Sequence, residues 1–245
     1  MALVPIIDVI RIGELSRKAA MSIFGKVNGN GVSQTLAGKD RLGRKLDGHL
    51  HAHFLPSDED GDGYLDHLTI WAPLGFDKKE EEALKRLYVL YPIYSDSGNN
   101  KIRLNLITTG QPKDLERLPM FGSSHTWHSV TPFVLTRHPK LRNNVGGYGQ
   151  SKYLVDGPVD QLRLELSRRD LPKPQQIKFI DMCLLPELCI NWKEFCMRRG
   201  SGGGSGIPVG YGFQLVFEEP ISGPLALGYG CHFGLGQFVS KTQEI

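Results

Sequence analysis

The sequence of 245 residues is long enough for one large domain or two small ones, and its 40% hydrophobic and 22% charged content is typical of a globular protein. The formal net charge of +3 permits a nucleic-acid partner without requiring one. No apolar run has the length of a membrane span, and the first residues lack the basic-then-apolar order of a secretion signal. We therefore predict a cytoplasmic protein that does not act at a membrane.

The first predicted element is a helix over roughly residues 8–25. Apolar side chains recur at helical spacing after Asp8, a residue type that suits an N-cap. The preceding residues 2–7 are few and include Pro5, so we expect the first strand of the fold to be short or missing. Either a partner supplies this strand or the chain belongs to a longer polypeptide.

A loop poor in core residues follows over residues 25–47. It carries four cations immediately before a histidine-rich stretch: Lys39, Arg41, Arg44 and Lys45. Such a run is usually a solvated surface. Its position beside the histidines also supports a phosphate-contacting loop, and the sequence leaves both interpretations open.

Residues 48–71 are predicted to form a β-hairpin that holds half of the chain's eight histidines. His49, His51 and His53 alternate with apolar residues, which places three imidazoles on one face of a strand. The return strand carries His67, so we expect the hairpin to bring a fourth imidazole back towards the first three. Such a cluster could perform acid-base chemistry, bind a metal or simply pack.

The turn of this hairpin resembles a twelve-residue calcium loop at five positions: Asp58, Asp60, Asp62, Gly63 and Asp66. Thr69 stands where that loop needs a glutamate, and the flanks read as strands rather than helices. We therefore predict a tight turn held by side-chain-to-backbone hydrogen bonds, with a weak divalent-cation site as the alternative.

A helical stripe over residues 77–91 and an alternating strand over residues 101–109 follow the hairpin. The order is (β)αββαβ, the ferredoxin-like plan that RNA-recognition modules also use. We assign residues 1–118 to a first domain of this kind.

The second half, residues 119–245, is predicted to form another βαββαβ domain. The fold class is therefore α+β, with two tandem ferredoxin-like domains and a first strand that is short or missing. A strand over residues 127–135 leads into a basic segment, and a helix over residues 160–170 ends on two arginines. Further strands are predicted over residues 176–183, 192–198 and 214–218.

Four glycines surround His232 near the C-terminus: Gly228, Gly230, Gly234 and Gly236. Glycine lets the backbone approach a ligand closely, and exposed N–H groups there would suit a phosphate backbone. The spacing alone is a weak signal, because glycine-rich turns are common at strand ends.

The metal interpretation is the runner-up to acid-base chemistry. Zinc could be bound by the hairpin histidines, but no distant motif of comparable clarity completes such a site. The cysteines are irregularly spaced and form no CxxC pair, which favours free thiols over a zinc knuckle or a disulfide framework.

Four blocks in chain order carry a resemblance. They are GHLHAHFLPSDEDGDGYLDHLTIWAPLGF, WHSVTPFVLTRH, QLRLELSRRDLP and GPLALGYGCHFGLGQF. Together they resemble the CRISPR precursor-RNA processing endoribonucleases of the RAMP superfamily, and in particular the processing half of the fused protein of type I-U (I-G) CRISPR systems.

The resemblance implies a metal-independent endoribonuclease without a cofactor. The 2′-hydroxyl of repeat RNA attacks the adjacent phosphate, and the enzyme stays on the 3′ hairpin of the guide RNA as a subunit of a type I interference complex. The fused relative carries a further RAMP module, so we expect contact with a second RAMP module and other subunits. A non-catalytic RNA-hairpin-binding subunit and, third, a metal-dependent hydrolase are the alternatives.

From the position of the histidines after the first helix we predict His49 or His51 as the general base, with Lys39 or Arg41 steadying the phosphate and His53 and His67 in support. The predicted RNA contacts are Arg44, Lys45, Arg137, His138, Lys140, Arg142, Arg168, Arg169, Gly228, Gly230, His232, Gly234 and Gly236.

Overall fold

The computed structural model describes residues 3–91, 101–143, 152–200 and 208–240. It is an α+β protein with antiparallel sheets, which confirms the predicted class. The α-helices are α1 (Val9–Val27), α2 (Gln34–Ala37), α3 (Lys78–Lys85) and α4 (Pro158–Arg168). The strands are β1 (His53–Ser57), β2 (His67–Trp71), β3 (Val89–Leu90), β4 (Ile102–Arg103), β5 (Ser123–Ser129), β6 (Phe133–Val134), β7 (Lys140–Asn143), β8 (Lys152–Val155), β9 (Gln176–Ile180), β10 (Met182–Leu184), β11 (Cys189–Asn191), β12 (Gly210–Ser222), β13 (Leu225–Ala226) and β14 (Gln237–Ser240).

The main sheet is built on the long strand β12. Strand β12 has β5 on one side and β9 on the other, and β14 pairs with the far edge of β5. These four strands therefore lie in the order β14–β5–β12–β9, and every pairing between neighbours is antiparallel. Strand β6 pairs with the first residues of β12, and β13 extends the sheet beyond β14.

The core of this sheet follows the period of two expected for a strand with one buried face. Phe213, Leu215 and Phe217 alternate along β12 and are almost completely buried. Leu162 and Leu166 of α4 pack against the same cluster, four residues apart on one helix face. The helix predicted over residues 160–170 is thereby confirmed with a start two residues earlier.

Helix α1 confirms the helix predicted over residues 8–25, and it packs on α3, on β1 and on the 3-10 helix Cys231–Phe233. Val9 and Ile10 of α1 share a buried cluster with Phe233 and Leu235 from the far end of the chain. The two halves of the sequence are thus joined by a common core.

The glycine-rich segment, residues 228–236, lies inside this junction. A Cβ atom on Gly13 of α1 would lie 2.5 Å from the carbonyl oxygen of Phe233, so the helix contacts the backbone of the segment directly. Gly236 has φ +63°, and a Cβ there would lie 1.8 Å from the carbonyl oxygen of Leu227. Only glycine satisfies both the close approach and the left-handed conformation.

The expectation that the amides of the segment are exposed is corrected. Gly228, Gly234 and Gly236 are buried, and Gly230 is half-buried. The N–H of Gly236 donates to the carbonyl of Pro132, and the N–H of Gly228 faces a carboxylate oxygen of α4 at 3.4 Å. The spacing of the glycines is accounted for by packing within the protein.

Several predicted strand boundaries are wrong. Strand β1 begins at His53, because Gly48 and His49 both have positive φ and turn the chain before it becomes extended. The strand predicted over residues 101–109 is limited to β4, and residues 192–194 form a 3-10 helix where a strand was predicted. Within the described residues, no helix is long and apolar enough to cross a membrane.

Candidate functional site

Four imidazoles stack against one another at the junction of the two halves: His49, His51, His53 and His232, here called the histidine cluster. The ring centroid of His232 lies 3.7 Å from that of His51, 3.8 Å from that of His53 and 5.1 Å from that of His49. The first three residues come from the approach to β1 and from its first residue, whereas His232 comes from the glycine-rich segment. His232 is the centre of the cluster because the other three rings all contact it.

Hydrogen bonds hold most of these rings in place. His232 Nδ1 lies 3.2 Å from the carbonyl oxygen of Ala52, and its Nε2 lies 2.9 Å from His49 Nδ1. His53 Nδ1 lies 3.3 Å from the carbonyl oxygen of Cys231. His51 Nδ1 is buried and has no hydrogen-bond partner among the described residues. His51 is therefore positioned by stacking rather than by hydrogen bonds through that nitrogen.

A buried ion pair borders the cluster. Arg169 donates to Glu165 Oε1 at 2.6 Å, to the carbonyl of Ala226 at 2.6 Å and to Cys231 Sγ at 3.3 Å. Glu165 Oε1 in turn lies 3.6 Å from His49 Nε2. The C-terminal end of α4 and the residue that follows it thereby place one anion and one cation beside the imidazoles.

Burial makes these imidazoles neutral at physiological pH. Burial, with the charge of Arg169 added, lowers the pKa of His53 to about 3. Burial and the nearby Arg17 lower the pKa of His51 to about 4. The pKa values of His49 and His232 are also lowered, again chiefly by burial. Each ring therefore has a lone pair available to accept a proton or to bind a metal.

Burial raises the pKa of the Glu165 carboxyl group, but the charge and hydrogen bond of Arg169 outweigh that effect and hold the pKa below its usual range. Glu165 is consequently an anion beside His49. An anion at this point favours the tautomer of His49 that carries its proton on Nε2.

A groove with cationic walls adjoins the cluster. This cavity of about 530 Å³, here called the basic groove, is lined by three cations, Arg17, Lys39 and Arg41, and by Asp40. A Cβ on Gly38, the residue before Lys39, would lie 2.8 Å from His51 Nε2. This edge of the His51 ring therefore faces the loop that carries the cations.

The four predicted loop cations differ in their surroundings. Arg44 forms an ion pair with Asp40 at 2.7 Å, and the backbones of Lys39 and Lys45 form a β-bridge. All four of the predicted cations are exposed. The loop is thus a small ordered turn with Lys39 and Arg41 on the groove.

The position predicted for His67 is wrong. The hairpin register pairs His53 with Trp71 and His67 with Ser57, so His67 lies at the opposite end of β2 from the cluster. Its ring bonds Asp66 at 2.8 Å instead. The fourth imidazole of the cluster is His232, which the sequence analysis had assigned to RNA contact.

The acidic turn forms the side-chain-to-backbone hydrogen bonds predicted for it. Asp58 accepts from the N–H groups of Gly61 and Gly63 at 2.7 and 2.8 Å, and Asp62 accepts from that of Tyr64. Asp58, Asp60 and Asp66 place carboxylate oxygens within 4.8 Å of one another. Because these carboxylates accept hydrogen bonds within the turn, those bonds account for their proximity without a bound ion.

The remaining predicted RNA contacts fall into two groups. Lys140 and Arg142 lie on β7, and these residues, with His138 and Arg168, are exposed. Arg137 is held by a bidentate ion pair with Asp156 at 2.7 Å. Arg169 was also predicted to contact RNA, but its side chain is only 13% exposed and is bonded within the protein.

Sequence reasoning missed Glu165, Cys231 and Arg17. The spacing of Glu165 and Arg169 is visible in the sequence, but an i,i+4 pair of this kind is ordinary on a helix surface. The sequence analysis predicted only that the cysteines are free thiols, and the position of Cys231 next to His232 in the sequence was the available signal.

Three comparisons with known proteins were made for this chain. No family model matches it, and no curated protein or solved structure gives a significant match. The RAMP-superfamily resemblance therefore stays a prediction, and the function has to be argued from the site.

Proposed function

We propose that this protein is a metal-independent endoribonuclease that processes CRISPR repeat RNA. The observation that carries the proposal is the position of a neutral, stacked imidazole, His51, beside Gly38 of the loop that lines the basic groove. A neutral imidazole can take a proton from a ribose hydroxyl, and adjacent cations can stabilise charge that develops on a phosphate.

In the proposed reaction the ribose 2′-oxygen attacks the adjacent phosphorus while His51 takes the hydroxyl proton. The bond from phosphorus to the 5′-oxygen of the next nucleotide breaks, that oxygen takes a proton from solvent water, and His51 then releases its proton to solvent. The products are a 2′,3′-cyclic phosphate and a 5′-hydroxyl. Lys39 and Arg41 stabilise the additional negative charge on the phosphate oxygens.

Of the two bases predicted from the sequence, His51 is the better placed. Both ring nitrogens of His49 face groups of the protein: Nδ1 lies 2.9 Å from His232 Nε2, and Nε2 lies 3.6 Å from Glu165. The Nε2 edge of His51 faces the loop of the basic groove instead. His49 then acts with His53 as support.

The tandem ferredoxin-like architecture is part of the proposal. The order β14–β5–β12–β9 is fourth, first, third, second among the main strands of the second half, with α4 between the first and second of them. This is the strand order of a βαββαβ unit. The glycine-rich segment stands where the second helix of such a unit would be.

We further propose that the exposed cations bind the RNA backbone and that the protein stays on the guide-RNA hairpin with other interference-complex subunits, including a second RAMP module. Lys140, Arg142 and Arg168 are exposed. Cations of this kind bind phosphate without reading sequence, and A-form RNA is recognised mainly through its backbone.

A second candidate is a non-catalytic subunit that only binds the RNA hairpin. The low pKa of His51, about 4, favours it, because an imidazole with so low a pKa is a weak base. The basic surface would serve both candidates equally.

Incubating the protein with repeat RNA in EDTA separates these candidates. Cleavage to a cyclic phosphate supports the endoribonuclease, and binding without cleavage supports the non-catalytic subunit. Activity that requires added metal supports a metal-dependent hydrolase.

His51→Ala tests the assignment of the base. We expect it to reduce the cleavage rate at least about 100-fold, the usual contribution of a general base, without weakening hairpin binding. His67→Ala is the matched control, because His67 lies at the other end of the hairpin. Equal loss in both variants, or none in His51→Ala, would show that His51 is not the base.

A further inference from the structure

Three donor atoms converge at the inner end of the histidine cluster. His49 Nδ1 lies 2.9 Å from His232 Nε2 and 3.9 Å from Cys231 Sγ, and ligand atoms of all three residues lie within 4.8 Å of one another. In a tetrahedral zinc site the bond lengths imply separations of about 3.3 Å between two nitrogens and about 3.6 Å between nitrogen and sulfur. The two separations made by His49 Nδ1, 2.9 and 3.9 Å, are thus each within about 0.4 Å of those between zinc ligands.

The outer nitrogens of both rings face acceptors. His232 Nδ1 lies 3.2 Å from the carbonyl oxygen of Ala52, and His49 Nε2 lies 3.6 Å from Glu165 Oε1. Carboxylate and carbonyl partners of this kind are typical of metal-binding histidines, because they favour the ring proton on the outer nitrogen and leave the inner nitrogen to bind the ion. The inner nitrogens share a hydrogen bond here, and a metal ion can take the place of its proton.

The thiol of Cys231 has a cation beside it, because Arg169 donates to its sulfur at 3.3 Å. A bound metal ion deprotonates a coordinating thiol. The thiolate and the Glu165 carboxylate together neutralise a divalent ion, so the charge of Arg169 remains and favours a water or an anion as a fourth ligand.

We propose that His49, His232 and Cys231 bind a zinc ion, with the fourth position taken by water or a small anion. The sequence analysis considered zinc only on the hairpin histidines, and this site takes two of its three ligands from the glycine-rich segment instead. His51 is not among the ligands, so the proposed ion takes no part in the proton transfer proposed for RNA cleavage.

The consequence for the fold is a tie between distant parts of the chain. His49 is separated from Cys231 by 182 residues, so an ion bound to both fastens the loop before β1 to the glycine-rich segment. Because a preformed site is absent from the unfolded chain, zinc binding stabilises the folded protein.

The test is metal binding to the full chain, freed of metal by chelation and dialysis. Titration with Co²⁺ should give one site per chain, with a sulfur-to-cobalt charge-transfer band and the visible bands of tetrahedral coordination. Added Zn²⁺ should displace the cobalt and raise the melting temperature. A chain that binds neither ion tightly, or binds cobalt without the sulfur band, refutes the proposal.

Variants locate the site. Cys231→Ser should abolish the sulfur band, and His49→Ala should weaken zinc binding by more than about 100-fold. Glu165→Gln, which keeps the shape but loses the charge behind His49, should weaken it about tenfold. Cys183→Ser and His67→Ala are the matched controls, a buried thiol and an exposed imidazole outside the cluster.

Circular dichroism checks that each variant folds. If one variant misfolds, the cobalt titration of the unaltered chain still tests whether a site with a sulfur ligand exists, and the remaining folded variants test which residues form it. The ligand assignment is overturned if folded His49→Ala and Cys231→Ser bind zinc with unchanged affinity while a control variant loses it, because the ion is then bound elsewhere.

Discussion

The contact between α1 and the glycine-rich segment can be tested with one methyl group. Gly13→Ala would place its Cβ 2.5 Å from the carbonyl oxygen of Phe233 and 2.7 Å from the Phe233 carbonyl carbon. These are backbone atoms, so relief requires the helix or the segment to move. In isolation the same change would favour the helix by about 1 kcal/mol, because alanine is the better helix former.

The two effects have opposite signs, and their sizes decide the outcome. Inserting a methyl group into a well-packed contact costs about 1–3 kcal/mol, and the atoms here are among the least adaptable. We expect Gly13→Ala to lower the free energy of unfolding by about 2 kcal/mol. For a chain of this length that corresponds to a melting temperature lower by about 4–8 °C.

Gly25→Ala is the matched control in the same helix. A Cβ on Gly25 meets only the carbonyl oxygen of Gly31, at 4.0 Å, so the helix preference should prevail and stabilise the protein by about 0.5–1 kcal/mol. Urea unfolding followed by circular dichroism measures both variants. If Gly13→Ala is as stable as the unaltered chain, α1 does not lie against the backbone of Phe233. The position described for the adjacent His232 in the histidine cluster is then wrong.

Two further predictions concern stability. The pKa of buried His53 is about 3 against 6.5 in the unfolded chain, so as the pH falls below 6.5 the unfolded state takes up the proton first and stability is lost down to about pH 3. At pH 5 the His53 contribution amounts to about 2 kcal/mol relative to neutral pH, measured by urea unfolding in EDTA. His51, whose pKa is about 4, contributes in the same direction, so His53→Gln should reduce the dependence by about 2 kcal/mol without abolishing it, and equal stability at both pH values would contradict buried neutral rings. Glu80→Ala should destabilise the protein by about 2 kcal/mol, because Glu80 is buried and accepts both the Ser33 hydroxyl at 2.5 Å and the backbone N–H that begins α3. Glu81→Ala, which removes only an exposed pair, should change it by less than about 0.5 kcal/mol, and equal losses in a melting experiment would show that the Glu80 contacts contribute nothing particular.

The histidine cluster combines features that a surface histidine lacks. Three rings contact one central ring, the central ring is buried, and the carboxylate of an ion pair lies 3.6 Å from His49 Nε2. Burying this many polar groups is unfavourable unless they are bonded, and His51 Nδ1 has no bond among the described residues. Such a cost at one place is typical of a functional site.

Local patterns in the sequence determined several elements of this protein. Helix α1 follows from apolar residues at helical spacing, and the buried face of β12 follows from strict alternation. The acidic turn follows from the tendency of aspartate to accept hydrogen bonds from its own backbone neighbours. Each depends on residues only a few positions apart, so no distant contact was needed to predict it.

Only the tertiary structure decided the composition of the site. His232 joins His49, His51 and His53 because the glycine-rich segment packs between α1 and β1, and His67 is excluded because the hairpin register places it at the other end of β2. Glu165 and Arg169 meet these rings because α4 packs over a sheet formed by strands far apart in sequence. Such contacts depend on how whole helices and strands pack together. Neither hydrophobic periodicity nor motif spacing in the sequence predicts which of these elements will be in contact.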